Sequence, residues 1–449
     1  MPFGYQGSVR PGVDVLKRGG DVERYGVGTG WWVLAGLVLA GPAAAQQTVD
    51  LPAQDKNLPV AFDDVFRVGS MDGADWETFG EIGGVAFDRQ GRLYVFDRQS
   101  SRVVVTDASG NFVREVGKAG EGPGELRQPM GFAVLRDGSI VISDMAHRAY
   151  VVYGPDGTYQ RMVSFGGDGS MIVLGDLSAD PRGDAVFMGG GRMSISMSRS
   201  GPAEPPAPPT NRPIKRIGLS GTDAAEEVLV EAWQPPRPQG PQTLSGGGMR
   251  FSVAMAGPRT FEPGLYVGPL PDGGVAYVDS AAYAVKVVDG NGTLQRVLRR
   301  PFTPRPVTPA LQEAEKQRRL DELEAGEGPQ MRIVTSSGSG APRALNPEAV
   351  KEMMKGQLEQ MQFYPELPVV MNLATGWTGK IWVVRRGQQP TEPGPIDVLT
   401  PAGQYVGTFA VGSTALPSAF GPDGLVAFIE RDEFDVPTVV VKRLPAVLR

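Results

Sequence analysis

One pattern recurs along this chain at nearly constant spacing: a tight turn ending in glycine, then four or five β-branched, aromatic or aliphatic residues. Its first two copies are Asp88-Arg89-Gln90-Gly91 before Arg92-Leu93-Tyr94-Val95-Phe96-Asp97, and Arg136-Asp137-Gly138 before Ile140-Val141-Ile142-Ser143-Asp144. Gly91 and Gly138 lie 47 residues apart. Each copy extends into a unit of four short β-type runs. In the first these are Gly84–Phe87, Arg92–Asp97, Arg102–Asp107 and Asn111–Val116, with Asp107-Ala108-Ser109-Gly110 turning between the last two. Runs of this length, bounded by Asp/Asn/Gly turns, read as antiparallel strands. The turn recurs at Gly183, Gly273, Gly379 and Gly424, before Asp184–Met188, Val275–Asp279, Lys380–Val384 and Leu425–Ile429. A period near 45 residues with four strands per unit is the pattern of a β-propeller. A lone four-stranded unit has two apolar faces and cannot bury both, so neighbours must stack, and closing the ring removes exposed sheet edges. The expected fold is all-β: a six-bladed propeller over residues 60–445 with four-stranded antiparallel blades. Asp64–Gly69 is expected to pair with the last unit, around 419–445, which is one strand short.

Two gaps interrupt the period. Between Gly183 and Gly273 the chain carries Gly201–Pro209 and Pro235–Gly248, both rich in Pro and Gly, which cannot pair in a sheet and read as exposed insertions. A seventh blade within 234–262 stays open. Between Gly273 and Gly379 lies the one helical pattern, at 308–362. Thr308-Pro309 opens a helix that ends near Gly326, and Asn346-Pro347 opens another through Phe363, both with a capping residue followed by Pro. On the second, Val350, Met353, Met354, Gln357, Leu358 and Met361 share one face. That stripe reads either as packing against the propeller or, through Met353, Met354 and Met361, as a lid or ligand-binding surface, because thioethers adapt to varied shapes. Ser336–Gly340 between the helices reads as a flexible link.

The residues Phe87–Asp97 and Val103–Asp107 resemble an NHL-type repeat, and Gly120-Glu121-Gly122-Pro123-Gly124-Glu125-Leu126-Arg127-Gln128-Pro129 resembles the linker between blades of that family. The likeness is closest over 83–165 and looser over 264–300 and 372–443; later units lack the Gly-Pro-Gly-Glu linker. It implies an exported bacterial six-bladed propeller. Six-bladed relatives include calcium-dependent lactone hydrolases and a metal-dependent peptide lyase. The several histidines of the lyase are missing, since this chain has one.

Residues 1–45 read as a signal peptide with an N-terminal extension. Trp31–Ala40 is apolar, Gly41-Pro42 breaks it, Ala43-Ala44-Ala45 offers a small-residue cleavage site, and Lys17, Arg18 and Arg24 precede. The run is well short of the ~20 residues a bilayer span needs, and no Cys follows to take a lipid. The expected location is periplasmic or secreted, with no stable membrane anchor after cleavage. Removing the leader takes away four basic and three acidic residues from 44 and 50, which leaves a net charge of −7. Such a surface has no general attraction for nucleic acid. A monomer is expected.

Catalytic motifs are sparse. Zero Cys excludes disulfides, thiolate nucleophiles and iron–sulfur ligation, and one His excludes poly-His metal centres. There is no Gly-x-Ser-x-Gly elbow and no phosphate loop, so no catalytic residue is assigned. His147 beside Asp144 could act as an oriented general base, or simply be a loop histidine. Asp97, Asp144 and Asp279 sit at one place, the end of a unit's second strand. With Glu430 they are candidate calcium ligands, since acidic groups repeated around a ring could converge on its axis. Equally, each could cap its own turn by accepting backbone N–H bonds. Trp377 and Trp382 read as core or as a sugar platform. Calcium is the one cofactor left open. Three functions follow: a non-catalytic binding scaffold for a protein, peptide or glycan; a calcium-dependent, lactonase-like hydrolase with an axial site; or a structural envelope component.

Overall fold

The computed structural model describes residues 47–165, 171–174, 176–189, 193–196, 210–236, 242–246, 249–253, 259–326, 334–335, 343–344, 347–432 and 434–449. All belong to one compact unit, Ala45–Arg449. Residues 1–45, expected as a leader, the expected insertion at 201–209 and the segment 336–340 lie outside the described residues.

Six sheets of four antiparallel strands follow one another along the chain. Blade 1 is Ile82–Phe87, Leu93–Asp97, Arg102–Thr106 and Phe112–Val116; blade 2 is Pro129–Val134, Ile140–Asp144, Ala149–Tyr153 and Tyr159–Ser164. Blade 3 is Leu177–Ala179, Ala185–Met188, Asn211–Gly218 and Ala225–Trp233; blade 4 is Tyr266–Pro269, Val275–Val278, Ala284–Val288 and Leu294–Arg299. Blade 5 is Val370–Thr375, Ile381–Arg386, Pro393–Leu399 and Tyr405–Phe409. Blade 6 takes Ala419–Phe420, Leu425–Arg431 and Pro437–Arg443 from the C-terminus and Asp63–Val68 from the N-terminus. The expected closure is found, with Phe66 opposite Val441 and Val68 opposite Val439.

Period-2 alternation explains why the sheets stack into a ring. In the second strand of blade 1, Leu93 and Val95 face blade 6 with Leu425, Val439 and Val441, while Tyr94 and Phe96 face blade 2 with Ile140 and Ile142. The same division runs onward: Val141 and Val152 meet Val186 and Ile217, Phe187 meets Val275 and Tyr277, Val278 meets Ile381 and Val383, and Trp382 meets Val426 and Phe428. Six clusters therefore fill six interblade interfaces, and no blade has an unpartnered face. Six, not seven, units complete the circle. Within 234–262 the described strands are one antiparallel pair, Gln242–Gly246 with Met249–Val253.

Near the axis the first strands come very close. A Cβ on Gly268 of blade 4 would lie 2.5 Å from Thr375 Cγ2 of blade 5. The turn that marks each repeat has its own requirement: Gly138 adopts φ +96°, a region that L side chains rarely enter.

The N-terminal segment straps three blades from outside. Gln47–Asp50 adds a fifth, parallel strand to blade 4 beside Leu294–Arg299, Asn57 bridges to Thr408 on blade 5, and Asp63–Val68 becomes the outer strand of blade 6. Among the described residues β structure thus starts at Gln47, ahead of the residue-60 boundary expected from the repeat.

The helical insertion leaves blade 4 and returns to blade 5 on a short stalk, Arg305–Pro306 paired with Glu366–Leu367. It carries α1 (Pro309–Ala325) and α2 (Pro347–Glu359), which pack together, with Lys355 Nζ 3.6 Å from Glu324 Oε1. The Thr308 hydroxyl accepts from Leu311 N, and Gly326 closes α1 in the left-handed conformation, both as the capping pattern predicts. The foot of the insertion is also tied to the preceding one, since Thr260 N donates to Gln362 O and Tyr364 N to Thr260 O.

Candidate binding site at the blade 4–blade 5 rim

In an antiparallel pair the end of the second strand lies beside the start of the first. The register places Ile82 opposite Asp97, Pro129 opposite Asp144 and Val370 opposite Arg385. These positions therefore share one rim with the connections that enter each blade.

The three repeated aspartates are fully buried there, and each is occupied locally. Asp97 accepts from the backbone N–H groups of Gly80, Glu81 and Ser100, with Arg102 Nε 3.6 Å away. Asp144 accepts from Arg127, Gln128, Ala146 and His147 N–H groups at 2.7–3.3 Å. Asp279 accepts from Trp233 N and from Lys286 Nζ, the latter at 2.7 Å. Each carboxylate thus fastens an incoming connection or a neighbouring strand; Asp97 and Asp144 also accept from their own turns, whereas Asp279 accepts from Trp233 and Lys286. Glu430 is separate: it is exposed, and Arg67 of the outer strand lies 3.4 Å from it. Among the described residues no group of three or more His, Asp or Glu side chains is arranged to hold a metal ion. His147 Nδ1 is 3.4 Å from Asp144 Oδ2.

Trp382 is fully buried, stacked on Phe409 at 5.4 Å, and Trp377 carries the Arg136 guanidinium over its ring at 4.2 Å. On α2, Met354 and Leu358 are half-buried, as is Met361 just beyond it; Met353 belongs to the same helix, its side chain outside the description.

Blade 5 reverses the charge at the repeated position. Where blades 1, 2 and 4 have aspartate, it has Arg385, and the carboxylate comes from its third strand as Asp397. Around these two the structure assembles a cluster that the repeat pattern does not announce. Arg300 Nη1 lies 2.9 Å from Asp397 Oδ2, with both side chains wholly buried. Arg300 also donates to the carbonyls of Pro52, Ala53 and Gln54, and Arg385 Nη2 bonds Asp55 at 2.6 Å. Burial pushes the Asp55 carboxyl up, but hydrogen bonds and charge from Arg385 and Arg300 outweigh it and hold it below its ordinary value. Burial, with the Asp397 charge beside it, drives the Tyr283 phenol well above its usual range.

Beside this cluster, at the foot of the stalk, opens a cleft of about 170 Å³ lined by Phe302, Thr303, Arg305, Leu367, Pro368, Val369, Arg385 and Arg386. Its cations are of two kinds. Arg385 is neutralised by Asp55 and Asp397. Arg386 donates to the carbonyls of Pro368 and Pro390, and Arg305 to those of Gln388 and Gly387, so neutral backbone acceptors orient both. Neither has a carboxylate partner among the described residues. Burial, and the nearby Arg305 charge, lower the Arg386 pKa, although the Tyr266 phenol opposes that shift. The only sequence signal for this cleft was the Arg385-Arg386 pair standing where other blades carry aspartate.

Comparison with known proteins agrees with the architecture. Residues 53–166, which hold part of the strap and blades 1 and 2, match DUF5128, a family described as a 6-bladed beta-propeller. No curated protein matches the chain. Among solved structures, a Bacteroides vulgatus member of the DUF4221 family is similar at 11% identity and TM-score 0.46, over 85% of this chain and 97% of that one. A Bacteroides fragilis protein predicted to be exported is similar at 12% identity and TM-score 0.45, over 89% and 100%. A gluconolactonase of Xanthomonas campestris is similar at 13% identity and TM-score 0.38, over 82% and 86%. Among the described residues no helix is long and apolar enough to cross a membrane.

Proposed function

We propose that this propeller is a non-catalytic binding scaffold, acting outside the cytoplasm, that takes a protein, peptide or glycan ligand at the cleft between blades 4 and 5. The observation that carries this reading is the pair Arg305 and Arg386. Two guanidinium groups line one concave site, and neither meets a carboxylate among the described residues. Arg305 is exposed and Arg386 half-buried, and for the latter a cation without a counter-charge is held at a cost in solvation, which a ligand's anionic group would repay. Concave, mostly apolar sites with a few convergent polar groups are where ligands bind. Placement outside the cytoplasm rests on the leader pattern of residues 1–45.

The calcium-dependent hydrolase is the competing reading. It would require Asp97, Asp144 and Asp279 to give up the N–H, lysine and arginine partners that now occupy their oxygens. The test compares wild type with a cleft-filling Thr303→Trp variant on immobilised peptide and glycan panels. In parallel, calcium content and lactone turnover are measured. Ligand capture lost in the filled variant is expected. Capture indifferent to the filling, or calcium-dependent lactone hydrolysis, would end the scaffold reading at this cleft.

A further inference from the structure

The walls of the cleft bear on what kind of ligand it takes. Its lining includes Leu367, Pro368 and Val369, of which Leu367 and Pro368 are buried and Val369 is half-buried. The guanidinium group of Arg305 is oriented by the carbonyls of Gly387 and Gln388, and that of Arg386 by those of Pro390 and Pro368. Arg305 spends Nη1 and Nη2 on that loop, whereas Arg386 spends Nε and Nη1 and keeps Nη2. Arginine presents a planar fork suited to carboxylate, and such charge-assisted bonds are about twice as strong as neutral ones.

A sugar would need acceptors for its hydroxyls and a free aromatic face. The carboxylates beside Arg385, Asp55 and Asp397, are already engaged by Arg300 and Arg385. The aromatic lining residue, Phe302, carries Arg300 at 4.8 Å and Arg385 at 4.6 Å over its ring. What remains is one anionic group next to one aliphatic group. From this we infer that Arg305 and Arg386 hold the terminal carboxylate of an extended peptide whose last side chain is aliphatic and rests on Leu367, Pro368 and Val369. Capture of a chain end by oriented donors is a recurring mode of peptide recognition. The volume of about 170 Å³ suits one residue rather than a folded epitope. The inference rests on reading the cleft as the ligand site and adds to it the chemistry of the ligand.

The experiment uses the full mature chain and calorimetric titration with a short peptide ending in free Leu carboxylate. The same peptide amidated at its end and a glucuronate-tipped oligosaccharide serve as the other probes. The free acid binds, amidation weakens it at least tenfold, and Arg305→Gln and Arg386→Gln each weaken it about tenfold. Arg386→Lys, which keeps charge but loses the fork, falls between. Circular dichroism and unfolding midpoints report whether each variant folds; Arg305 is exposed, so its variant remains informative should Arg386→Gln fold poorly. Amide binding as tightly as acid, or folded variants binding as wild type does, overturns the inference. So does failure of the free acid to bind at millimolar concentration. Binding of the glucuronate probe alone also overturns it, while leaving a scaffold that takes glycans. The failure of the scaffold reading is distinct: it is the loss of cleft dependence on both panels.

Discussion

Arg300 and Asp397 face each other at 2.9 Å with neither side chain reaching water, the first from the end of blade 4 and the second from inside blade 5. Arg300 then turns its other donors to the backbone of Pro52–Gln54. One guanidinium therefore joins two blades and the N-terminal strap, and Thr408 Oγ1 bonds the second oxygen of Asp397 at 2.6 Å.

Breaking that pair from one side strands a charge in a site that solvent does not reach. Asp397→Ala is expected to lower unfolding stability by about 3–5 kcal/mol. The double variant Arg300→Met with Asp397→Leu should be markedly more stable than Asp397→Ala, because it removes both charges and fills the volume. Urea midpoints measure this; a double variant no better than the single would show that shape, not charge, governs the site.

Asp55 links the strap to the same cluster and brings a pH dependence. Its folded pKa lies below the ordinary value of about 3.9. A depressed carboxyl adds stability that is complete above the unfolded pKa and fades as pH falls through the folded one. Wild type should therefore exceed Asp55→Asn in melting temperature at pH 7. The gap should narrow below about pH 4 and close under stronger acid. A gap unchanged down to pH 3 would contradict the ion pairing.

Close approach at the axis predicts sensitivity to a single methyl. In Gly268→Ala the new Cβ meets Thr375 Cγ2 at 2.5 Å and Oγ1 at 2.8 Å, and Thr375 cannot turn aside without loosening its bond to Pro269 O. A loss of about 1–3 kcal/mol is expected from overpacking. Adding Thr375→Ala should restore part of it, and thermal denaturation would show whether it does.

The insertion should respond on its own. Removing the cap with Thr308→Ala costs α1 about 1 kcal/mol. Amide exchange is expected to quicken in the first turn of Pro309–Ala325 and to stay unchanged in the strands of blade 1. Equal acceleration in both would mean that helix and ring unfold together.

How much of this was legible beforehand depends on the distance over which each cause acts. The blades were, because a turn such as Leu135–Gly138 and the strands around it lie within one repeat, and the alternation Leu93, Tyr94, Val95, Phe96 already divides into two faces. The two helix starts were also legible, since a cap is a matter of four adjacent residues. The acidic repeat could be seen but not interpreted: Asp97, Asp144 and Asp279 have the same spacing whether they serve a metal or their own backbone. What periodicity could not reveal are contacts between remote segments. Arg300 with Pro52 and Arg385 with Asp55 unite residues separated by 248 and 330 positions; the two arginines flank the insertion that interrupts the repeat, and Pro52 and Asp55 belong to the strap, outside any repeat. The cleft arises from that interruption.

Sharing blade 6 between the two ends of the chain sets an order of events. Asp63–Val68 is made long before its partner Pro437–Arg443. A chain that has not yet reached Pro437–Arg443 cannot complete the circle, and until then two raw sheet edges stay available to other chains and to proteases. The joint thus ties closure of the ring to the arrival of one strand about 370 residues further along.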